Sequence, residues 1–143
     1  MSQVVIDDHL LRDVLAAEHG RRLTRLITAN ELATTNLYFV RLCKSVVAAR
    51  GGALTGNWSP ERRRELGRRL VELPGSILIL PMRLVGFRMA ELAESQRLST
   101  LGAEAVAAAE HLGASLYVWE GDDGPGIREA ARASGVTYRT IPL

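Results

Sequence analysis

Short apolar segments alternate with longer segments of helical periodicity along nearly the whole chain, and this alternation restricts the fold more than any other feature. The connections between apolar segments are too long for β-hairpins, so successive strands must be joined by crossovers. Crossovers of this kind are right-handed and leave the strands parallel. We therefore predict an α/β fold: one three-layer α/β/α domain over residues 1–143, with a central, mostly parallel sheet of about five strands.

The predicted strands share β-branched or aliphatic residues and are bounded by polar or turn residues. The third of them is apolar throughout, as is typical of a central parallel strand that is covered on both faces. The five predicted strands span residues 4–6, 23–28, 77–80, 115–119 and 136–141.

The predicted helices share apolar residues at spacings of three and four. One of them has a strong start signal, because Ser59 is a suitable N-cap, Pro60 suits the first helical position and Glu61 puts an acid in the first turn. The predicted helices run from residue 10 to about 18, from 31 to 49, from 60 to just before 74, and over 84–94, 103–112 and 126–134.

Composition limits the class of protein without naming its ligand. Apolar residues make up 47% of the 143 residues and charged residues 24%, which suits a globular domain with a real core. No apolar run approaches the roughly 20 residues of a membrane span, and the opening residues do not resemble a signal peptide. Cys43 is the only cysteine, which favours a reducing compartment. We therefore expect a cytoplasmic protein without a membrane anchor.

Acidic residues follow two of the predicted strands. Asp7 and Asp8 come after the first strand, and Glu120, Asp122 and Asp123 come after the fourth. Parallel strands end at the same edge of their sheet, where α/β proteins bind ligands. Carboxylates that converge there are hard oxygen ligands, which Mg²⁺ and Mn²⁺ prefer. The pattern therefore indicates a candidate metal site that can activate water against a phosphodiester.

The same acids have two simpler interpretations. Asp7 or Asp8 can serve as the N-cap of the first helix, since aspartate is a favoured capping residue. The stretch from Asp122 to Gly126 is also a typical turn sequence. His9 lies beside the first two acids and is either a ligand, a base or a surface residue of the first helical turn.

The opening segment, Val4-Val5-Ile6-Asp7 with Leu10 and Leu11 behind it, resembles the first strand of the PIN-domain ribonucleases. In that family an aspartate ends the strand and leads into a helix. The closing segments AEAVAAAEHLGA, SLYVWEGDD, GIREAARASGV and TYRTI resemble the last helix, strand, helix and strand of the same family. The resemblance covers essentially the whole chain and rests on pattern.

The resemblance implies three or four acids that hold Mg²⁺ or Mn²⁺ and hydrolyse RNA. Asp7 matches the first acid, and Glu120 or Asp122 matches the last. The second acid is expected near residues 37–41, where this chain has none. The third falls close to Gly102, and the nearest acid is Glu104. The implied catalytic residues are therefore Asp7, Glu104, Glu120 and Asp122, and the implied metal ligands are Asp7, Glu120 and Asp122.

Three functions from different classes remain open on the sequence. The first is a metal-dependent endoribonuclease similar to bacterial toxins, with RNA as substrate, a small antitoxin-like protein as partner and a homodimer as the assembly. The second is an eroded PIN-like module that binds protein or RNA without cutting. The third is an unrelated α/β domain, for example a receiver-like or nucleotide-binding module. The receiver-like domain is disfavoured because Pro81, Met82 and Arg83 stand where its phosphorylated aspartate would follow the third strand, and the nucleotide-binding module is disfavoured because the chain has no Gly-rich phosphate loop.

Overall fold

The sheet is built from five strands that all run parallel, and its order is β3-β2-β1-β4-β5. The computed structural model describes residues 2–48, 50 and 52–143. Its strands are β1 Ser2–Ile6, β2 Asn30–Thr34, β3 Ile77–Ile79, β4 Ser115–Trp119 and β5 Tyr138–Ile141. The prediction of an α/β fold with a parallel five-stranded sheet is confirmed.

Helices cover both faces of this sheet. Those described are α1 Asp8–Leu15, α2 Arg21–Ala29, α3 Asn36–Val47, α4 Gly52–Thr55, α5 Pro60–Val71, α6 Gly86–Gln96, α7 Thr100–Leu112 and α8 Pro125–Ala133. Two short 3₁₀ turns, Met82–Leu84 and Glu120–Asp122, follow β3 and β4. No helix in the described ranges is both long and apolar enough to cross a bilayer.

The two faces of β1 face two separate hydrophobic clusters. Val4 and Ile6 pack with buried leucines of α1, α2, α3 and α5, whereas Val5 packs with α6, α7 and α8. This alternation is the period of two that a strand imposes on its side chains. It explains why Val4, Val5 and Ile6 are apolar in succession.

The second strand was predicted in the wrong place. Residues 23–28 lie within α2, where Leu23 and Leu26 are buried at helical spacing. The strand follows at Asn30–Thr34, so Glu31 belongs to β2, and α3 begins only at Asn36. The predicted end of that helix at Ala49 and its stop at Gly51 lie outside the described residues.

The third strand was predicted to be central, and this was wrong. β3 pairs only with β2 and lies at an edge of the sheet, where Leu78 is 38% exposed. An apolar strand of this length cannot be assigned to the centre or the edge from its composition. The start of α5 was predicted correctly, since the Ser59 hydroxyl accepts the hydrogen bond from the Arg62 backbone nitrogen and Pro60 opens the helix.

Candidate metal centre between β1 and β4

The order of the strands creates a crevice at the carboxyl ends of β1 and β4. From β1 the chain proceeds to β2 and β3 on one side, while β4 and β5 fill the other side. Neighbouring strands whose connections leave in opposite directions form a switch point, which is where α/β sheets bind ligands. Ile6 at the end of β1 is paired with Tyr117 of β4, so the residues that follow the two strands are brought together.

Asp7 is the first residue beyond β1 and is almost fully buried. Its Oδ1 accepts a hydrogen bond of 2.9 Å from the backbone nitrogen of Leu10, which makes it the N-cap of α1. Burial raises the pKa of Asp7 to about 7, and the charge of Asp8 adds to this, while the bond from Leu10 opposes it. The interpretation of Asp7 as a helix cap is therefore correct. The other carboxylate oxygen of Asp7, Oδ2, does not take part in the cap and lies 3.9 Å from Nδ1 of His9.

Asp8 is also buried, with 2% of its surface exposed. Its Oδ1 accepts a 3.0 Å hydrogen bond from the backbone nitrogen of His9 and lies 3.1 Å from the Nδ1 of the same residue. Its Oδ2 lies 3.0 Å from Nη1 of Arg41, a half-exposed side chain of α3. Two cationic or potentially cationic groups thus compensate this buried carboxylate.

His9 joins the acids that follow β1 to the acid that follows β4. Its Nε2 lies 3.6 Å from Oδ1 of Asp122, at the end of the 3₁₀ turn beyond β4. The hydrogen bond to Asp8 raises the pKa of His9, and the charges of Asp7 and Asp122 act in the same direction, while burial opposes them. The imidazole is consequently the central element of the cluster.

Asp7, His9 and Asp122 form a group that could hold a metal ion. Each offers one ligand atom, and these atoms all lie within 4.8 Å of one another. The set contains two carboxylate oxygens and one imidazole nitrogen. Mg²⁺ strongly prefers oxygen ligands, whereas imidazole is a common ligand of first-row transition metals. The residues present therefore fit Mn²⁺ better than Mg²⁺.

Glu104 lies apart from this group. The α7 helix buries it almost completely, and its carboxylate binds the amino end of α3. Oε2 accepts hydrogen bonds from the backbone nitrogen and the side-chain amide of Asn36, at 3.1 and 3.0 Å, and Oε1 accepts one of 2.9 Å from the nitrogen of Leu37. Both oxygens are thus engaged in completing the cap that Thr35 begins.

Glu120 is likewise outside the group. It opens the 3₁₀ turn after β4, is exposed, and is separated by Gly121 from Asp122. One turn of 3₁₀ geometry rotates successive side chains apart, so only one acid of this turn joins the group.

Sequence reasoning did not consider Arg41 for the site, and it left His9 open as a ligand, a base or a surface residue without choosing it. His9 could have been included, because it follows Asp7 by two residues in the first turn of α1. Arg41 stands at the end of the segment where the family resemblance led us to expect an acid, and its contact with Asp8 is visible only in three dimensions. The signal for Arg41 in the sequence was therefore a basic residue at the position where the family resemblance implies an acid.

Comparison with known proteins gives a structural relative and no sequence relative. No protein-family model and no curated protein matches the chain. The fold is similar to that of a chain in a solved structure described as a toxin–antitoxin complex from Klebsiella pneumoniae, with a TM-score of 0.57. The similarity covers 86% of this chain and 93% of the other, at 14% sequence identity. At this level of identity the likeness demonstrates a shared fold.

Proposed function

We propose that this chain is a PIN-like domain, related to the nucleases of toxin–antitoxin pairs, that binds a divalent cation through Asp7, His9 and Asp122 and hydrolyses phosphodiester bonds in RNA. The observation that carries the proposal is the convergence of three ligand atoms at the crevice between β1 and β4. The parallel sheet of order 3-2-1-4-5 and the fold of the Klebsiella chain are consistent with it.

Each ligand has a distinct part in this proposal. Asp7 is held in place because one of its oxygens caps α1 and leaves the other for the cation. Asp122 supplies the opposing carboxylate, and His9 lies between the two. A bound Mn²⁺ would activate a water molecule and neutralise charge that develops on the phosphodiester. His9 would bind the metal as a neutral imidazole, so the positive charge beside the phosphodiester would come from the metal and from Arg41, which lies against Asp8.

The test is hydrolysis of labelled RNA in the presence of Mn²⁺. We expect the wild type to cut, and we expect Asp7→Asn and Asp122→Asn each to lower the rate at least about a hundredfold, as losing a ligand or its support typically does. Asp123→Asn is the matched control, because Asp123 binds Arg128 and Tyr138 instead of the cluster. Cleavage that persists in Asp7→Asn, or that needs no divalent cation, would overturn the proposal.

A second candidate is a PIN-like module that has lost catalysis. It is favoured by one observation: Arg41 lies against the buried Asp8, so a protein cation already compensates part of the acidic cluster. In this case the acids and their internal cations form a structural network that needs no metal. Melting curves with and without Mn²⁺ separate the two candidates, as described at the end of the Discussion.

We further propose that the chain acts in the cytoplasm, binds a small antitoxin-like protein and forms a homodimer. The Klebsiella structure is described as a toxin–antitoxin complex, which supports an antitoxin-like partner here. The aromatic residues of the chain are poor candidates for a dimer interface, because Tyr38 is buried and Phe39, Trp58 and Trp119 pack against the core. The exposed apolar residues Leu78, Leu84 and Phe87 near the β3 edge are better candidates.

A further inference from the structure

A basic cavity lies beside the acidic cluster, on the other side of Arg41. It has a volume of about 320 Å³ and is lined by three cationic side chains, Arg41, Lys44 and Arg50, over a floor that includes Ala53 and Leu54. Arg41 and Lys44 are three residues apart on α3, so they project from the same face of the helix. We call this feature the basic cavity.

The cations of the basic cavity are available to a ligand. Within residues 2–48, 50 and 52–143, no carboxylate forms an ion pair with Lys44 or Arg50, and both side chains are exposed. Most arginines of α5 differ in this respect, since Arg68 and Arg69 both pair with Glu65. No acidic residue lines the cavity. Two of the three lining cations, Lys44 and Arg50, therefore carry positive charge without a described ion pair, whereas Arg41 pairs with Asp8.

The carbonyl groups at the end of α3 would oppose an anion in this place if they were free. Arg63 removes this obstacle, because its Nη2 donates hydrogen bonds to the carbonyl oxygens of Ser45, Val46 and Ala48. Its guanidinium thus covers the negative end of the helix. The net field in the cavity is set by the three lining cations.

We propose that the basic cavity binds one nucleotide unit of a single-stranded nucleic acid, next to the phosphodiester that faces the acidic cluster. The cations would hold a backbone phosphate, and the apolar floor would contact the sugar or base. Arg41 pairs with Asp8 and also lines the cavity, so a nucleotide held in the cavity would lie next to the acidic cluster. The carboxylates of an acidic peptide would pair with the cations, but they would make no use of the apolar floor beneath them. The assignment of RNA as the ligand rests on the proposed function, whereas the assignment of a phosphate group rests on the cavity alone.

The experiment measures binding of a fluorescent oligouridylate by anisotropy, in EDTA, over a range of salt concentrations. We expect Lys44→Gln/Arg50→Gln to weaken binding roughly tenfold. The slope of log affinity against log salt should fall by about 0.7, because the contact to one phosphate of a single strand is lost. The matched control is Arg64→Gln/Arg68→Gln, which removes the same charge from exposed positions of α5, and it should change the affinity less than about twofold. Lys44→Arg, which keeps the charge, should bind like the wild type.

Three results would overturn the inference. The first is an equal loss in both double variants, which would indicate general charge attraction. The second is an unchanged affinity in Lys44→Gln/Arg50→Gln. The third is a polyglutamate peptide that binds the cavity more tightly than the oligonucleotide, which would assign the cavity to an acidic protein segment.

Because EDTA removes divalent cations, the proposed nuclease can fail its own test while this binding is observed, and binding can fail while cleavage succeeds. A parallel titration with oligothymidylate separates RNA from DNA as the source of the phosphate.

Discussion

At the scale of single residues, the contact between Asp8 and Arg41 has a measurable energetic role. Asp8 is buried, and Arg41 provides the ion pair to its Oδ2. Removal of one partner leaves a buried carboxylate with less compensation. We expect Arg41→Met to lower the free energy of unfolding by about 1–3 kcal/mol, a range reduced because the arginine is half-exposed.

A double-mutant cycle in urea checks this expectation. Asp8→Asn/Arg41→Met should be less destabilised than the sum of the two single variants, with a coupling of about 1 kcal/mol or more. Additive effects would show that the two side chains do not interact in solution.

Glu104 offers a second test at this scale. Its carboxylate accepts hydrogen bonds from the backbone nitrogens of Asn36 and Leu37 and from the Asn36 amide. Glu104→Gln would turn an NH₂ group toward these donors, so we expect a loss of about 2–3 kcal/mol in urea unfolding. The exposed Glu94 of α6 is the control, and Glu94→Gln should change stability by less than about 0.5 kcal/mol. Equal effects in the two variants would contradict a capping role.

The residues of the site were only partly predictable. Asp7 and Asp122 could be selected because they follow strands whose carboxyl ends meet. His9 was ambiguous, since a histidine in a first helical turn is most often exposed. The choice between Glu120 and Asp122 depends on the 3₁₀ turn, and the use of Glu104 as a cap depends on the packing of α7 against α3. Such contacts over long sequence separations leave no local pattern.

At the scale of elements, the segment before β2 shows how a helix can be mistaken for a strand. Residues 23–28 contain the apolar Leu23 and Leu26 and the β-branched Ile27, a composition that suggests a strand. The two leucines are three residues apart and both are buried, while Thr24 and Arg25 between them are exposed. The period of the burial, more than the residue type, identifies α2.

The position of each strand in the sheet predicts its resistance to local opening. β1 has a partner on both sides and is buried on both faces, whereas β3 is a three-residue edge strand. Amides of β1 should therefore exchange only through global unfolding, and amides of β3 through local fraying. Native-state hydrogen exchange measured residue by residue checks this order. Protection of β3 equal to that of β1 in the monomeric Leu84→Ser/Phe87→Ser variant would contradict this order.

At the scale of the whole molecule, the proposed homodimer has a specific surface. Leu84 is 49% exposed and Phe87 is 82% exposed, and both follow the free edge strand β3. Exposed apolar side chains beside an unpaired strand favour association. We expect light scattering to give a dimer for the wild type and a monomer for Leu84→Ser/Phe87→Ser, with the fold retained by circular dichroism. A wild-type monomer at all accessible concentrations would refute this assembly.

The fold class could be predicted from the sequence more reliably than the position of each strand in the sheet. The long connections required crossovers, and the crossovers required a parallel sheet. The pairing of β1 with β4 brings the acids that follow these two strands to the same edge of the sheet, as expected. The position of β3 could not be derived, because a strand of three apolar residues satisfies both a central and an edge place. With no matching family model, the arrangement could be tested only in three dimensions.

The most direct test of the central claim is thermal melting of wild type and Asp7→Asn, each with and without Mn²⁺. Asparagine is as good an N-cap as aspartate, so the variant keeps α1 while it loses the charge that draws the cation. We predict that saturating Mn²⁺ raises the melting temperature of the wild type and leaves that of Asp7→Asn unchanged, since a ligand stabilises only the state that binds it. A variant more stable than the wild type in both conditions, with no response to Mn²⁺ in either protein, would contradict the metal site and identify the cluster as a structural network.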